Sequence, residues 1–303
     1  MSLKKFYRYL VNNYKLFTIF QVYRFKKKYP TKVLNNDFQI DTPTIHFLHR
    51  YITNNTGDKA CGYYQYFLSE FKYYKSIIHD VNKVDFSLIK KTDVIIVGGG
   101  GLLNATSEWN YNINRAAKLA GKSVIWSAGF NSSYSGPKLG SSIDFKLFDL
   151  VTVRDYNYKN FNYAPCATCV MPELEKDYVI KREVGVVAHK DVPQHLPKEI
   201  HQFEKVTNSA PLHEMVEFIG SSEVILTNSY HAVYWAVLMK KKCILFAPRS
   251  EKYDFYKYAP VKFSGDLALD ISQAAIYPEA MEDSKKLTLH FLKDIKELIK
   301  TIE

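Results

Sequence analysis

The amino-acid sequence predicts an α/β protein in which two Rossmann-like domains face a cleft, with a basic arm in front and one helix at the end. Three observations lead there. The 303 residues are 47% hydrophobic, enough for one large or two medium cores. After Asn36, short β-rich runs alternate with helical segments, the pattern of βαβ units around parallel sheets. The alternation breaks once, over residues 162–172 (NYAPCATCVMP), and then resumes. That stretch reads as an inter-domain linker. The expected division is an arm over 1–36, a first Rossmann-like domain over 37–165 and a second over 166–303.

The first half opens with Thr44 to Tyr51 as a strand, followed by a helix over Asp58 to Phe71. Asp93 to Val97 (DVIIV) is wholly apolar after its acid, as a strand buried on both faces requires. Trp109 to Ala120 is expected to be a helix stopped by Gly121, and Ser123 to Ser127 and Leu150 to Val153 are expected to be strands. In the second half, Val184 to Ala188, Val224 to Thr227 and Cys243 to Phe246 read as strands. Leu212 to Ile219 and Ala232 to Met239 read as helices. Ser284 to Ile302 closes the chain, with Leu287, Phe291, Leu292, Ile295, Leu298 and Ile299 at helical spacing.

Composition excludes several classes. Thirteen glycines and eleven prolines are too few for a low-complexity or collagen-like chain, and four cysteines cannot form a disulfide framework. No membrane span or signal peptide is expected, so the expected location is the cytoplasm. The net charge of +10 is local: nine of the 41 basic residues lie in residues 1–36 without one acid, which leaves 32 against 31 acidic residues elsewhere. A nucleic-acid partner is therefore not expected. In the arm, lysines and arginines alternate with Phe6, Tyr7, Leu10, Tyr14, Phe17, Phe20, Tyr23 and Phe25. Such a segment suits either peripheral contact with an anionic inner-membrane face or a packed helix with solvated lysines.

Four features carry candidate chemistry. The junction Asp93 to Asn104 (DVIIVGGGGLLN) runs from a buried strand into four glycines, where backbone N–H groups can cradle an anion. Its spacing fits neither a dinucleotide fingerprint nor a Walker loop, and a tight structural turn is the other reading. Ile225 to Met239 passes from strand to helix with Asn228 and Ser229 as candidate caps and His231 in the first turn. Arg249 and Lys252 follow the next strand and suit a phosphate or carboxylate clamp. In VTVRD, Arg154 sits at the carboxyl end of a strand, and in NTGD, Asp58 is an N-cap or a general base. Cys166 and Cys169 form a lone Cys-x-x-Cys. Cys61 and Cys243 are isolated in sequence, so no zinc site is expected.

Taken in this order, the features resemble the polysaccharide pyruvyl transferase family. The family pattern has an Asn-x-Gly-Asp turn, a strand into a Gly-Gly-Gly-Leu-Leu loop, a strand ending in Arg-Asp, a His-bearing helix start, and a later basic segment. Here Asn55, Gly57 and Asp58, then Gly99 to Leu103, then Arg154 and Asp155, then Asn228 to His231, and finally Lys252 match it. The match spans roughly Pro43 to Tyr258. Asn228-Ser229-Tyr230-His231 replaces the Arg-Leu-His form of many members, and residues 1–36 have no counterpart.

The resemblance implies a GT-B-like fold and transfer of a pyruvyl group from phosphoenolpyruvate to a sugar or lipid-linked glycan as a ketal, with no metal or cofactor. It implies donor binding by Gly99, Gly100, Gly101, Arg154, Asn228, Ser229, His231, Arg249 and Lys252. His231 is the expected acid or phosphate contact and Asp58 the expected base, with Arg154 beside them as a catalytic residue. Two other readings stay open. One is a nucleotide-sugar glycosyltransferase on the same frame, with Glu251 or Asp254 at the ribose. The other is a non-catalytic module for anionic glycans or lipids.

Overall fold

The computed structural model describes residues 31–35, 38–39, 42–105, 108–132, 138–191, 196–248 and 250–302. Most of the basic arm and Arg249 lie outside the described residues. The first half builds β1 (Lys32–Val33), β2 (Ile45–His49), helices α1 (Thr56–Ala60) and α2 (Tyr64–Phe67), β3 (Ser76–Asp80), β4 (Val94–Gly98), α3 (Glu108–Leu119) and β5 (Lys122–Ala128). A short hairpin of β6 (Asn131–Ser132) and β7 (Leu139–Gly140) follows, then β8 (Leu150–Val153) and β9 (Asn162–Tyr163). Seven of these strands form one sheet in the order β1-β3-β2-β4-β5-β8-β9, parallel throughout except for the antiparallel edge strand β1. Every residue of β2, β3 and β4 is buried, as strands covered on both faces must be, His46, His49, Ser76, His79 and Asp80 included.

The second half builds β10 (Arg182–Ala188), β11 (Lys205–Thr207), α4 (Leu212–Gly220), β12 (Ser222–Thr227), α5 (Tyr230–Leu238), β13 (Lys242–Leu245), β14 (Val261–Lys262), α6 (Leu267–Gln273) and the long α7 (Ala280–Lys300). Its five strands pair in parallel in the order β11-β10-β12-β13-β14. All nine residues of α5 are buried, so this helix runs through packed interior rather than along a surface. The protein is thus mixed α/β with two parallel-rich sheets. Among the described residues no helix is long and apolar enough to cross a membrane.

Three elements differ from the sequence expectation. The helix expected over 58–71 breaks into α1, α2 and a 3-10 turn at Leu68–Phe71. Gly62 sits at the first break, with its Cα against the rings of Tyr64 and His49, where a Cβ would come within 2.6 Å and 2.9 Å of ring carbons. Residues 162–172 join the two sheets as packed structure rather than open chain: Asn162–Tyr163 extend the first sheet, and Ala164, Cys166, Ala167, Cys169 and Met171 are buried. The closing helix begins at Ala280 and packs Phe291, Leu292, Ile295 and Ile299 onto the first sheet, against Ile45, Phe47, Ile96, Val124 and Trp126. Its residues follow the second sheet in sequence, yet its apolar face completes the core of the first. Ile295 is fully buried there, so Ile295→Ala should lower stability by about 3 kcal/mol in a denaturant titration. A loss under 1 kcal/mol would show that the helix docks only loosely.

Candidate active site

Both sheets direct their carboxyl ends at one cleft of about 140 Å³. In the first sheet the chain leaves β2 for β3 on one side and returns to β4 on the other; in the second, β10 is flanked in the same way by β11 and β12. Each reversal opens a crevice at the strand ends, where α/β sheets bind ligands. Arg50 follows β2, and Gly100, Gly101 and Leu102 follow β4. Arg154 is the first residue after β8, His189 to Asp191 follow β10, and Asn208 follows β11. Ser229, Tyr230 and His231 begin α5, and Lys252 and Tyr253 lie in the segment after β13.

Arg154 is the centre of the wall. It is 3% exposed, its guanidinium carbon lies 3.8 Å from the centroid of the Tyr230 ring, and Nη1 is 3.5 Å from His231 Nε2. Among the described residues no carboxylate oxygen lies within 4.0 Å of it, and its Nε has no hydrogen-bond partner. A buried guanidinium without a counter-ion is costly, and an anion from solution removes that cost. Two glycines make the geometry possible. A Cβ on Gly129 would lie 2.1 Å from Arg154 Nε, and one on Gly57 would lie 2.2 Å from His231 Nδ1.

Lys252 points into the same space, donating to Asn131 Oδ1 at 3.3 Å, again with no carboxylate within 4.0 Å among the described residues. Burial and the Arg154 charge pull its ammonium down to about 8, against the pull of Asp58 and Asp155. Burial favours the neutral form of Asp58, but His231, Arg50, Arg154 and Lys252 outweigh it and hold the carboxyl below its usual range. Its Oδ2 accepts from Arg50 Nη1 at 3.0 Å, and its backbone N–H donates to Asn55 Oδ1 at 3.2 Å. The N–H groups of Gly100 and Gly101 find no acceptor among the described residues. The first-turn amides of α5, which have no partners within the helix, open on the same cleft. The site is therefore a polar pocket in which Arg154 and Lys252 have no carboxylate oxygen within 4.0 Å among the described residues, beside the ion pairs Arg50–Asp58 and Lys190–Asp191 and the imidazoles of His189 and His231. That set can hold a small multivalent anion and exchange protons with it.

The sequence-predicted residues divide. Asp58, Gly100, Gly101, Arg154, Ser229, His231 and Lys252 meet at the cleft. Gly99 does not line it: its φ is +75° and its Cα packs on the Cys61 carbonyl, a structural turn. Neither Asn228 nor Ser229 caps α5 through its side chain. Asn228 Oδ1 instead accepts from the His189 N–H at 2.6 Å and fastens the loop after β10. Arg249 lies outside the described residues, so its expected place in the clamp has no structural counterpart here. Glu251 accepts from the Leu139 N–H and Asp254 pairs with Lys262, and neither lines the cleft. Sequence reasoning missed Arg50, Asn131, His189, Lys190, Asp191, Asn208 and Tyr253. Their common signal, a polar residue within a few positions of a strand's carboxyl end, is too frequent to single them out.

Cys61 and Cys166, far apart in sequence, converge beneath His231, whereas Cys169 turns away to Thr288. Burial opposes both thiolates of the convergent pair, but the Cys61 thiol and the His231 ring hold Cys166 low, and Cys61 is pushed up in turn.

Arg154 after β8 and Lys252 after β13, with no carboxylate oxygen within 4.0 Å of either among the described residues, give the cleft between the strand ends of two parallel-rich sheets the charge to hold a small, multiply charged anion. The chain belongs to the polysaccharide pyruvyl transferase family, a transferase family, whose family model matches residues 31–251. No curated protein matches it. A solved structure of a functionally uncharacterised protein from Klebsiella pneumoniae is similar at 15% identity and a TM-score of 0.46, covering 73% of this chain and 93% of that one.

Asp155, adjacent to Arg154, gives a stability test. Burial raises its carboxyl to about 6 in spite of Arg154 and the 2.7 Å hydrogen bond from the Phe130 N–H to Oδ2. The folded value lies above the unfolded value of 3.8. The ionised carboxylate therefore costs stability, starting above about pH 4 and reaching its full extent near pH 6. Asp155→Asn, which keeps an acceptor for Phe130, should gain about 2–3 kcal/mol on the wild type between pH 4 and 6. Parallel pH profiles of the two proteins in urea titrations would contradict this.

Proposed function

We propose that the protein transfers a pyruvyl group from phosphoenolpyruvate to two hydroxyls of a sugar or lipid-linked glycan, forming a ketal in polysaccharide biosynthesis, on a GT-B-like two-domain frame. The observation that carries the donor assignment is the pair Arg154 and Lys252, cations in one pocket with no carboxylate oxygen within 4.0 Å among the described residues. Phosphoenolpyruvate brings a phosphate and a carboxylate, the two groups such a pair accepts. Family membership supports the reaction class.

In this reading the Gly100–Gly101 amides and Lys252 take the phosphate, and Arg154 takes the carboxylate. His231 delivers a proton to the methylene carbon, which becomes the methyl group, and the cation at C2 is attacked by the first sugar hydroxyl. Asp58, ionised beside Arg50, accepts that hydroxyl's proton. The C2–O bond to phosphate breaks, the second hydroxyl closes the ring, and its proton leaves with the phosphate. A nucleotide-sugar donor finds less support, because Glu251 and Asp254 both lie off the cleft.

Calorimetric titration with phosphoenolpyruvate, with a UDP-sugar panel as control, tests the assignment. Phosphoenolpyruvate alone should bind, and Arg154→Ala should weaken it at least tenfold, about 1.4 kcal/mol. Binding of a UDP-sugar in its place would overturn the donor. The same titration has a pH signature. Lys252 attracts the anion only when protonated, so affinity should hold below its value of about 8 and fall above it, by up to about tenfold per pH unit. In Lys252→Arg the fall should vanish. A profile flat through pH 9 in the wild type would remove Lys252 from the donor site.

A further inference from the structure

The cluster beneath His231 carries an inference that the pyruvyl reading leaves unused. Cys61 Sγ, Cys166 Sγ and a His231 ring nitrogen all lie within 4.8 Å of one another. They come from three separate elements. Cys61 closes α1, Cys166 sits in the segment joining the two sheets, and His231 stands in the first turn of α5. All three are buried and both cysteines are free thiols. The geometry points to a binding site for one soft divalent cation of the Zn²⁺ class, held by two thiolates and one imidazole.

The donor set decides the metal. Two sulfurs and one imidazole select Zn²⁺ and its relatives over Mg²⁺ or Ca²⁺, which take oxygen. A tetrahedral ion with Zn–S of about 2.3 Å and Zn–N of about 2.0 Å spaces its ligands by about 3.5 Å. The cluster therefore closes on an ion by contracting about an ångström. Three protein ligands leave a fourth position for water or another ligand, the coordination pattern of open rather than structural zinc sites. As each Zn–S bond forms, the thiol releases its proton to solvent, two protons per ion, while the imidazole binds through a nitrogen lone pair without changing its charge.

Charge and access fit as well. Two thiolates, a neutral imidazole and a divalent ion sum to zero, so the centre adds no net charge beside the Arg154 guanidinium. His231 borders the large cleft, and Cys166 borders a smaller cavity on the other side of Arg154 and Tyr230, so the cluster lies one side chain from open space in two directions. An ion there ties the α1 segment, the inter-sheet segment and α5 together. It also occupies the His231 nitrogen. On the pyruvyl-transfer reading, and only on it, a bound ion is therefore inhibitory, because a metal-bound imidazole cannot become the imidazolium that delivers the proton.

Co²⁺, a spectroscopic substitute for Zn²⁺, tests the site on the reduced full-length protein, with no donor or acceptor present. One Co²⁺ per chain should bind with a thiolate-to-cobalt charge-transfer band and tetrahedral ligand-field intensity, and Zn²⁺ should displace it. Cys61→Ala and Cys166→Ala should each weaken binding at least tenfold. Cys243→Ala, which removes a thiol outside the cluster, should leave it unchanged. Thermal melts of the metal-free variants separate lost ligation from lost folding. A wild-type protein with no stoichiometric charge-transfer band overturns the site, as does a band that survives both cluster variants. Phosphoenolpyruvate binding is measured separately, so failure of the donor assignment leaves this result intact.

Discussion

The structure is organised around one buried charge. Arg154 leaves the carboxyl end of β8 into a wall made by Tyr230 on one face and Gly129 on the other, with no carboxylate oxygen within 4.0 Å among the described residues. A charge in that position is tolerable because its neighbours were shaped around it. Gly129 gives up a side chain to admit the guanidinium, the aromatic face supplies a cation–π contact, and the polar cleft leaves room for an anion. The same logic sets His231, which is admitted by Gly57 across the cleft, and Lys252, whose ammonium is weakened by burial and by the neighbouring guanidinium.

Topology explains why these residues meet. Each sheet reverses its winding beside a central strand, β2 in the first and β10 in the second, and the reversal leaves strand ends uncovered by helices. The lining of the cleft comes almost entirely from residues just past those ends. A rigid frame of buried parallel strands therefore presents loops whose polar groups are fixed by short hydrogen bonds, such as Asn228 to the His189 amide and Asn208 Oδ1 to the Lys190 N–H at 2.9 Å. Asn208 Nδ2 is buried without a partner among the described residues, one more donor at the cleft in need of an acceptor.

Much of this was legible in the sequence, for identifiable reasons. The apolar run VIIV reads as a buried strand and LVTV as a strand, and the four glycines had to mark a close approach. Arg154 and His231 stood out because each abuts an apolar element, and Asp58 because it lies in a turn motif. What stayed hidden depends on distance in sequence. Cys61 read as isolated because nothing local announces that it meets Cys166, 105 positions later. The five-residue β3 lacked flanking turn signals strong enough to mark it, and α7 gave no hint that its apolar face would cross to the first sheet. Asn228 read as a helix cap because that is the usual role of its type at that place, whereas its carbonyl oxygen was already committed to another loop.

The central claim is that the cleft's unpaired cations serve transfer of a carboxylate-bearing group, rather than binding alone. The most direct measurement incubates the protein with phosphoenolpyruvate and a polysaccharide acceptor. It follows phosphate release together with the carbon resonances of the acceptor. The account predicts phosphate release that requires the acceptor, matched by a new ketal carbon and methyl group on the glycan, both lost in Arg154→Ala. Phosphoenolpyruvate left intact beside an acceptor that is modified from a UDP-sugar would contradict it.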